Sequence, residues 1–291
     1  MSHLHSNHRT PPARSIAQTT EYTSVGNTLT AIARPVPRRL LGVWAHPDDE
    51  AYLSAGLMAR VRATGGRVTV VTATRGEKGT SDPADYDHDH FGALRETELR
   101  CSLATLGVDD VRFLELRDGE CDVADDQAAV AAIADVIAEI RPEVIVTFGP
   151  DGMTGHPDHR AVSRWTTEAS RRVETGELLY AAVTHDWAVR HRRMHEELGV
   201  YADCPDGRPV TVGRRSIALE CALGGRELDI KRRALAAHAS QTAALAEIMG
   251  EQAYRSWWKE ERFRRPTSTE MAGCPVPDWV HAPRQLVGEP A

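Results

Sequence analysis

The feature that most constrains this chain is a rhythm between residues 40 and 148, where short apolar or β-branched runs alternate with stretches of helical pattern. Leu40-Leu41-Gly42-Val43-Trp44-Ala45 is the first run, and a helical stretch from Tyr52 to Ala63 follows it, closed by Gly65-Gly66. Arg67-Val68-Thr69-Val70-Val71-Thr72-Ala73 predicts a second strand, a polar loop extends to residue 90, and residues 92 to 106 predict a helix ended by Gly107. Val111 to Leu116 predicts a third strand, residues 126 to 140 an alanine-rich helix stopping before Pro142, and Glu143 to Phe148 a fourth strand. Parallel neighbours need crossovers, and helices supply them, so the expected fold is α/β with a mainly parallel sheet covered on both faces.

Beyond residue 175 the rhythm loosens: strands are expected at 178 to 183 and 215 to 220, and a helix at about 227 to 248. The stretch 186 to 212 has little periodicity and reads as a cap or loop. Residues 1 to 36 are polar and end in Ala33-Arg34-Pro35-Val36-Pro37, which predicts a mobile extension whose His3, His5 and His8 have no fixed geometry. One domain is expected over 37 to 265, with an irregular tail from 266 to 291.

A net charge of −7 argues against a nucleic-acid partner, which needs a concentrated basic surface. No apolar run approaches the length of a membrane span, and the N-terminus lacks the apolar stretch of a signal peptide, so no membrane partner and a cytoplasmic location are expected. The 5 cysteines, Cys101, Cys121, Cys204, Cys221 and Cys274, form no Cys-x-x-Cys pair and read as reduced thiols. A homo-oligomer is compatible with all of this.

The chemistry is concentrated in His46-Pro47-Asp48-Asp49-Glu50, after the first strand, and His156-Pro157-Asp158-His159, after the fourth. Ligands of open α/β sheets bind beyond the carboxyl ends of the strands, so both segments are expected at one edge. Two histidines and a carboxylate make a catalytic zinc site with a position left for water, and further carboxylate and imidazole groups supply acid and base. A single His-Pro-Asp is more often a capped turn; two matching copies after parallel strands favour a metal site. Residue types alone do not separate Asp48 from Asp49.

Together, Ala45 to Glu50 and Gly155 to His159 resemble the signature of the PIG-L/LmbE-like zinc-dependent deacetylases, with Thr74-Arg75-Gly76-Glu77 and His238-Ala239-Ser240-Gln241 as further points of likeness. The resemblance implies a Rossmann-like fold and hydrolysis of the N-acetyl or N-acyl group of a small amino-sugar substrate. It implies one Zn2+ held by His46, Asp49 and His159, with Asp48 as general base. His156 is implied to stabilise the oxyanion or protonate the leaving amine, oriented by Asp158. Arg75, Asp118 and Gln241 are candidates for binding substrate.

Several alternatives remain. A mycothiol-conjugate amidase is disfavoured because Ala51 to Gly56 carries no lysine. A deacylase of antibiotic intermediates fits the same motifs. A non-haem iron oxygenase also uses two histidines and a carboxylate. No glycine-rich phosphate loop follows the first strand, which weighs against a nucleotide-binding module. Asp85 to His90 reads as a solvated loop rather than a second metal site, and Trp257-Trp258 as helix packing.

Overall fold

A computed structural model describes residues 35–79, 87–204 and 207–273. The expected extension before residue 35, the loop residues 80–86 and the tail from Cys274 onward lie outside the described residues.

The central strands are β1 (Arg39–Trp44), β2 (Arg67–Thr74), β3 (Asp110–Leu116), β4 (Val144–Thr147) and β5 (Glu177–Ala181). They pair in parallel, in the order β3-β2-β1-β4-β5. Their crossovers are α1 (Asp49–Ala63), α2 (His88–Thr105), α3 (Asp126–Ile140), the single turn α4 (Gly152–Gly155) and α5 (Pro157–Val173). The expected mainly parallel α/β fold is the one observed. Leu41, Val43, Val70, Val71, Ile145 and Val146 are fully buried, as expected of strands covered on both faces.

Strand order reverses between β1 and β4: the chain runs outward from β1 through β2 to β3, and outward the other way from β4 to β5. The crevice between the carboxyl ends of those two strands is the topological switch point, where open α/β sheets bind ligands. Both His-Pro segments enter it.

The second half departs further from the sequence expectation. The stretch 186 to 212 contains a regular helix, α6 (His185–Leu198), and ends in β7 (Thr211–Val212), which pairs with β6 (Val183–Thr184) just before the helix. The sheet is completed by β8 (Ile217–Ala222) and β9 (Glu260–Arg264), which pair antiparallel with each other, while β9 pairs antiparallel with β5. Strand β9 escapes a hydropathy reading because Glu260-Glu261-Arg262-Phe263-Arg264 is mostly charged. Its two buried charges are paired, Arg262 with Glu220 and Glu260, and Glu261 with the buried Lys231.

The helix expected over 227 to 248 is two helices, α7 (Gly225–Ala237) and α8 (Ala239–Met249), broken at His238, whose ring is fully buried. A third, α9 (Glu251–Trp258), precedes β9. Beyond Pro266 the chain forms a further short helix, α10 (Ser268–Met271), opened by a Thr267–Glu270 capping box. Among the described residues no helix is long and apolar enough to cross a membrane.

Candidate metal centre

Strand β1 delivers His46 and α1 begins immediately after it, so Asp49 sits in the first helical turn with its carboxylate folded back onto the His46 backbone N–H at 2.8 Å. On the other side, His156 caps α5: its Nδ1 accepts the Asp158 N–H at 3.2 Å, and Pro157 occupies the first turn, where its missing N–H costs nothing. His159 follows one turn later, its ring stacked on Phe148 with centroids 4.1 Å apart.

Nδ1 of His46 lies 3.2 Å from Nε2 of His159, and the Asp49 carboxylate lies 3.7 Å from the first and 3.5 Å from the second. Ligands about 2.0–2.1 Å from a tetrahedral zinc ion stand about 3.4 Å apart, so the two nitrogens and the carboxylate lie near such a spacing, with Oδ2 of Asp49 facing His46 and Oδ1 facing His159. Tautomers agree with this reading. The Gly152 carbonyl accepts the His159 Nδ1 proton at 2.9 Å, leaving Nε2 with its lone pair. Nε2 of His46 donates to Asp118 at 3.1 Å and Asp158 at 3.2 Å. Between the two facing nitrogens there is room for one proton or one cation. Burial opposes charge on His46, but its bonds to Asp118 and Asp158, with the charge of Asp49, outweigh that and push it up to about 10. Burial and the nearby His46 charge push His159 well down.

His46, Asp118 and Asp158 also converge, and so do His46, His156 and His159. The two carboxylates, however, are already committed to backbone donors. Asp118 accepts from Lys78 N at 2.9 Å, and Asp158 accepts from Gly119 N at 2.7 Å and Cys121 N at 3.2 Å. They hold the outer nitrogen of His46 and fix its orientation, as carboxylates behind metal-binding histidines do. The sequence reading offered Asp118 as a substrate group and Asp158 as the partner of His156. In the structure the Asp118 carboxylate binds the His46 ring, and the Asp158 carboxylate binds the same ring together with the loop after β3.

Asp48 takes φ 123° and ψ −29°, a backbone conformation that side-chain-bearing residues rarely adopt. Its N–H donates to the Glu50 carboxylate at 3.0 Å, and Arg95 lies 3.5 Å from its carboxylate. Burial raises Asp48 to about 6 in spite of the Arg95 charge, with Asp49 adding to the rise. Burial and the His46 charge lower His156.

Arg75 is placed away from these groups. Its guanidinium pairs with Glu96 at 2.7 Å and with Glu115, and lies over the Phe113 ring. Gln241 donates to the Gly79 carbonyl at 3.2 Å, beside loop residues that lie outside the described ones. Of the Asp85 to His90 stretch, Asp87 caps α2 and pairs with His90, which makes this part a helix start.

The sequence reading missed Arg95, which is buried and donates to Pro47 O at 2.6 Å and Gly76 O at 2.8 Å. Gly76 has φ 64°, and any side chain there would run into that guanidinium. Its signal was available: Arg95, Glu98 and Ser102 fall on the same face of α2 as Phe91, Leu99 and Leu103, and charged groups on an apolar face need partners.

With this geometry in view, relatives become informative. A family described as PIG-L, GlcNAc-PI de-N-acetylase, matches residues 41–170. A 1D-myo-inositol 2-acetamido-2-deoxy-alpha-D-glucopyranoside deacetylase of Rhodococcus opacus is 36% identical over 239 residues, covering 70% of this chain and 82% of the relative. The chain belongs to the PIG-L family. A Streptomyces griseus member with the same name is 41% identical over 156 residues, but that match spans 46% of this chain and 48% of the relative, about half of each. Among solved structures, the N,N'-diacetylchitobiose deacetylase of Pyrococcus horikoshii shares the fold with a TM-score of 0.52 and 19% identity, over 78% of this chain and 83% of that one. Both His-Pro segments lie inside the matched PIG-L region; His238 and Gln241 lie beyond it.

Proposed function

We propose that this chain is a zinc-dependent hydrolase that removes the N-acetyl or N-acyl group from an amino-sugar substrate, with glucosaminyl-inositol compounds the first class to test. The observation that carries the reading is the convergence of His46 Nδ1, His159 Nε2 and the Asp49 carboxylate within tetrahedral ligand spacing, beside Asp48. The names of the relatives support the same chemistry and suggest the inositol-linked sugar.

Zinc bound by His46, Asp49 and His159 would polarise an amide carbonyl and bring the pKa of a bound water to about 7. The protein groups supply the rest. Asp48, buried and raised to about 6, accepts the proton of the attacking water. His156, whose Nδ1 is occupied by the Asp158 N–H, presents Nε2 as its proton-bearing nitrogen. That N–H stabilises the oxyanion, and the proton Asp48 has taken from water passes to the amine as the C–N bond breaks and the carboxylate product forms. Asp118 and Asp158 hold His46 in the tautomer that leaves Nδ1 free.

The test is release of acetate from N-acetylglucosaminyl-inositol, simple N-acetylglucosaminides and acylated antibiotic intermediates, with chelated enzyme as the control. Asp48→Asn is expected to keep the metal and lose about 100- to 10,000-fold in turnover. Full turnover by that variant would remove Asp48 as the base, and iron content with oxygen consumption would overturn hydrolysis altogether.

A further inference from the structure

A cavity of ≈ 330 Å³ opens onto two of the three proposed ligands, Asp49 and His159, and is bounded by residues of α1, β5, α6, α9 and β9. Its walls are largely apolar and include Tyr52, Trp187, Leu198, Val200, Trp257 and Trp258. This volume falls in the range of small-molecule sites, about 300–1,000 Å³, and is far more than the methyl of an acetyl group needs.

A sugar is a poor occupant, because each buried hydroxyl needs a hydrogen-bond partner. The charged side chains that line the cavity away from the metal centre are already engaged. Glu261 accepts from Lys231, Gly56 N and Leu57 N, all at 2.7–2.8 Å, and Arg262 is bound to Glu220 and Glu260 at 2.6 Å. What remains is mainly hydrocarbon and aromatic surface, with Tyr52, Thr154 and Tyr201 the hydroxyl-bearing exceptions.

The placement of the catalytic groups decides which part of an amide faces the cavity. A carbonyl carbon under attack carries four substituents: the incoming oxygen, the carbonyl oxygen, the nitrogen and the acyl chain. The incoming oxygen and the nitrogen both exchange a proton with Asp48, and the carbonyl oxygen needs the N–H of His156; neither residue lines the cavity. The acyl chain is the one substituent that needs no polar partner. We infer that the cavity is an acyl-chain subsite, and that this enzyme takes N-acyl amino sugars with medium-length aliphatic chains in preference to the N-acetyl compounds. The inference rests on the amidohydrolase reading and specifies its substrate class.

The test compares N-acetyl, N-butanoyl, N-hexanoyl and N-octanoyl derivatives of one glucosaminide with zinc-loaded enzyme. kcat/KM is expected to rise by about threefold per methylene through the hexanoyl compound, the gain of burying hydrocarbon. Val200→Phe, and separately Leu198→Phe, fill the cavity without touching the ligands; each should bring the hexanoyl rate down to the acetyl rate and leave the acetyl rate unchanged. A rate that falls steadily from acetyl onward in the unaltered enzyme would overturn the subsite, and so would a loss by these variants that is equal at every chain length.

A second readout does not depend on turnover. N-methylhexanamide should quench the fluorescence of the lining tryptophans and bind more tightly than N-methylacetamide by the same factor per methylene, and Val200→Phe should abolish the difference. Chain-length-dependent binding without hydrolysis of any amide would keep the subsite and overturn the hydrolase reading. Equal, weak binding of both amides would overturn the subsite alone.

Discussion

The fully buried carboxylate of Glu50 meets Nε2 of the equally buried His238 at 2.8 Å, joining the start of α1 to the break between α7 and α8. Glu50 also accepts from Ser102 Oγ at 3.3 Å and from the N–H of Asp48 at 3.0 Å. Asp48 is held in a strained backbone conformation, and such conformations persist only when their surroundings over-determine them. On the proposed mechanism, Glu50 and His238 are therefore positioning residues for Asp48. His238→Ala is expected to lower kcat by about 10- to 100-fold with KM little changed and zinc content retained, and His238→Gln, which keeps a donor, to recover part of the loss. Equal kcat in the two variants, or loss of metal from either, would count against this role.

Metal affinity should separate the inner ligands from the carboxylates behind them. His159→Ala or Asp49→Ala is expected to abolish stoichiometric zinc binding, since each removes one of the three proposed ligands. Asp118→Asn leaves all three in place and loosens only the His46 ring, so an affinity loss of about 10- to 100-fold is expected in a competitive chelator titration. Zinc binding by Asp118→Asn as poor as that of Asp49→Ala would make Asp118 a direct ligand.

The parallel half of the fold was legible because each strand is an uninterrupted apolar run and each crossover has helical period. The histidines and carboxylates of the candidate site could be picked out because they sit in two compact motifs beside those strands. What contacts them was not. Arg95, Asp118 and His238 reach the site from α2, the loop after β3 and the α7–α8 break, and only tertiary packing brings them there. Spacing placed Arg75 next to the second strand but could not show that Glu96 and Glu115 claim it. Strand β9 was hidden for a related reason, since its charges are neutralised by partners remote in sequence.

One of those hidden pairs makes a stability prediction. Lys231 is 1% exposed; its ammonium donates to Glu261 at 2.8 Å and to the Tyr52 carbonyl at 2.7 Å, while Glu261 accepts from two backbone N–H groups of α1. Removing one member of a buried pair strands the other charge. Lys231→Met is expected to cost about 3–5 kcal/mol in urea unfolding, and Lys231→Met with Glu261→Gln less than the sum of the two single changes. Additive losses would mean that the two side chains act independently.

Acid sensitivity can be assigned to a second pair at the end of the sheet. Glu270 receives both guanidinium nitrogens of Arg264, at 2.7 and 2.8 Å, and the Thr267 N–H at 2.7 Å. Burial alone would raise the Glu270 carboxyl, but the bonds to Arg264 and Thr267 outweigh it and lower its pKa below the ordinary 4.5. A carboxylate depressed in the folded state binds its proton less readily there than in the unfolded chain. Its stabilising contribution is therefore complete above the unfolded value and lost as pH falls through the folded one. Glu270→Gln is expected to lower stability by about 1–2 kcal/mol near neutral pH, the loss of a charged hydrogen-bonded pair that is partly open to solvent. The gap between the melting temperatures of wild type and variant should narrow steadily below about pH 4. A gap that stays constant from neutral pH down to about pH 3 would show that Glu270 contributes through packing and not through its charge.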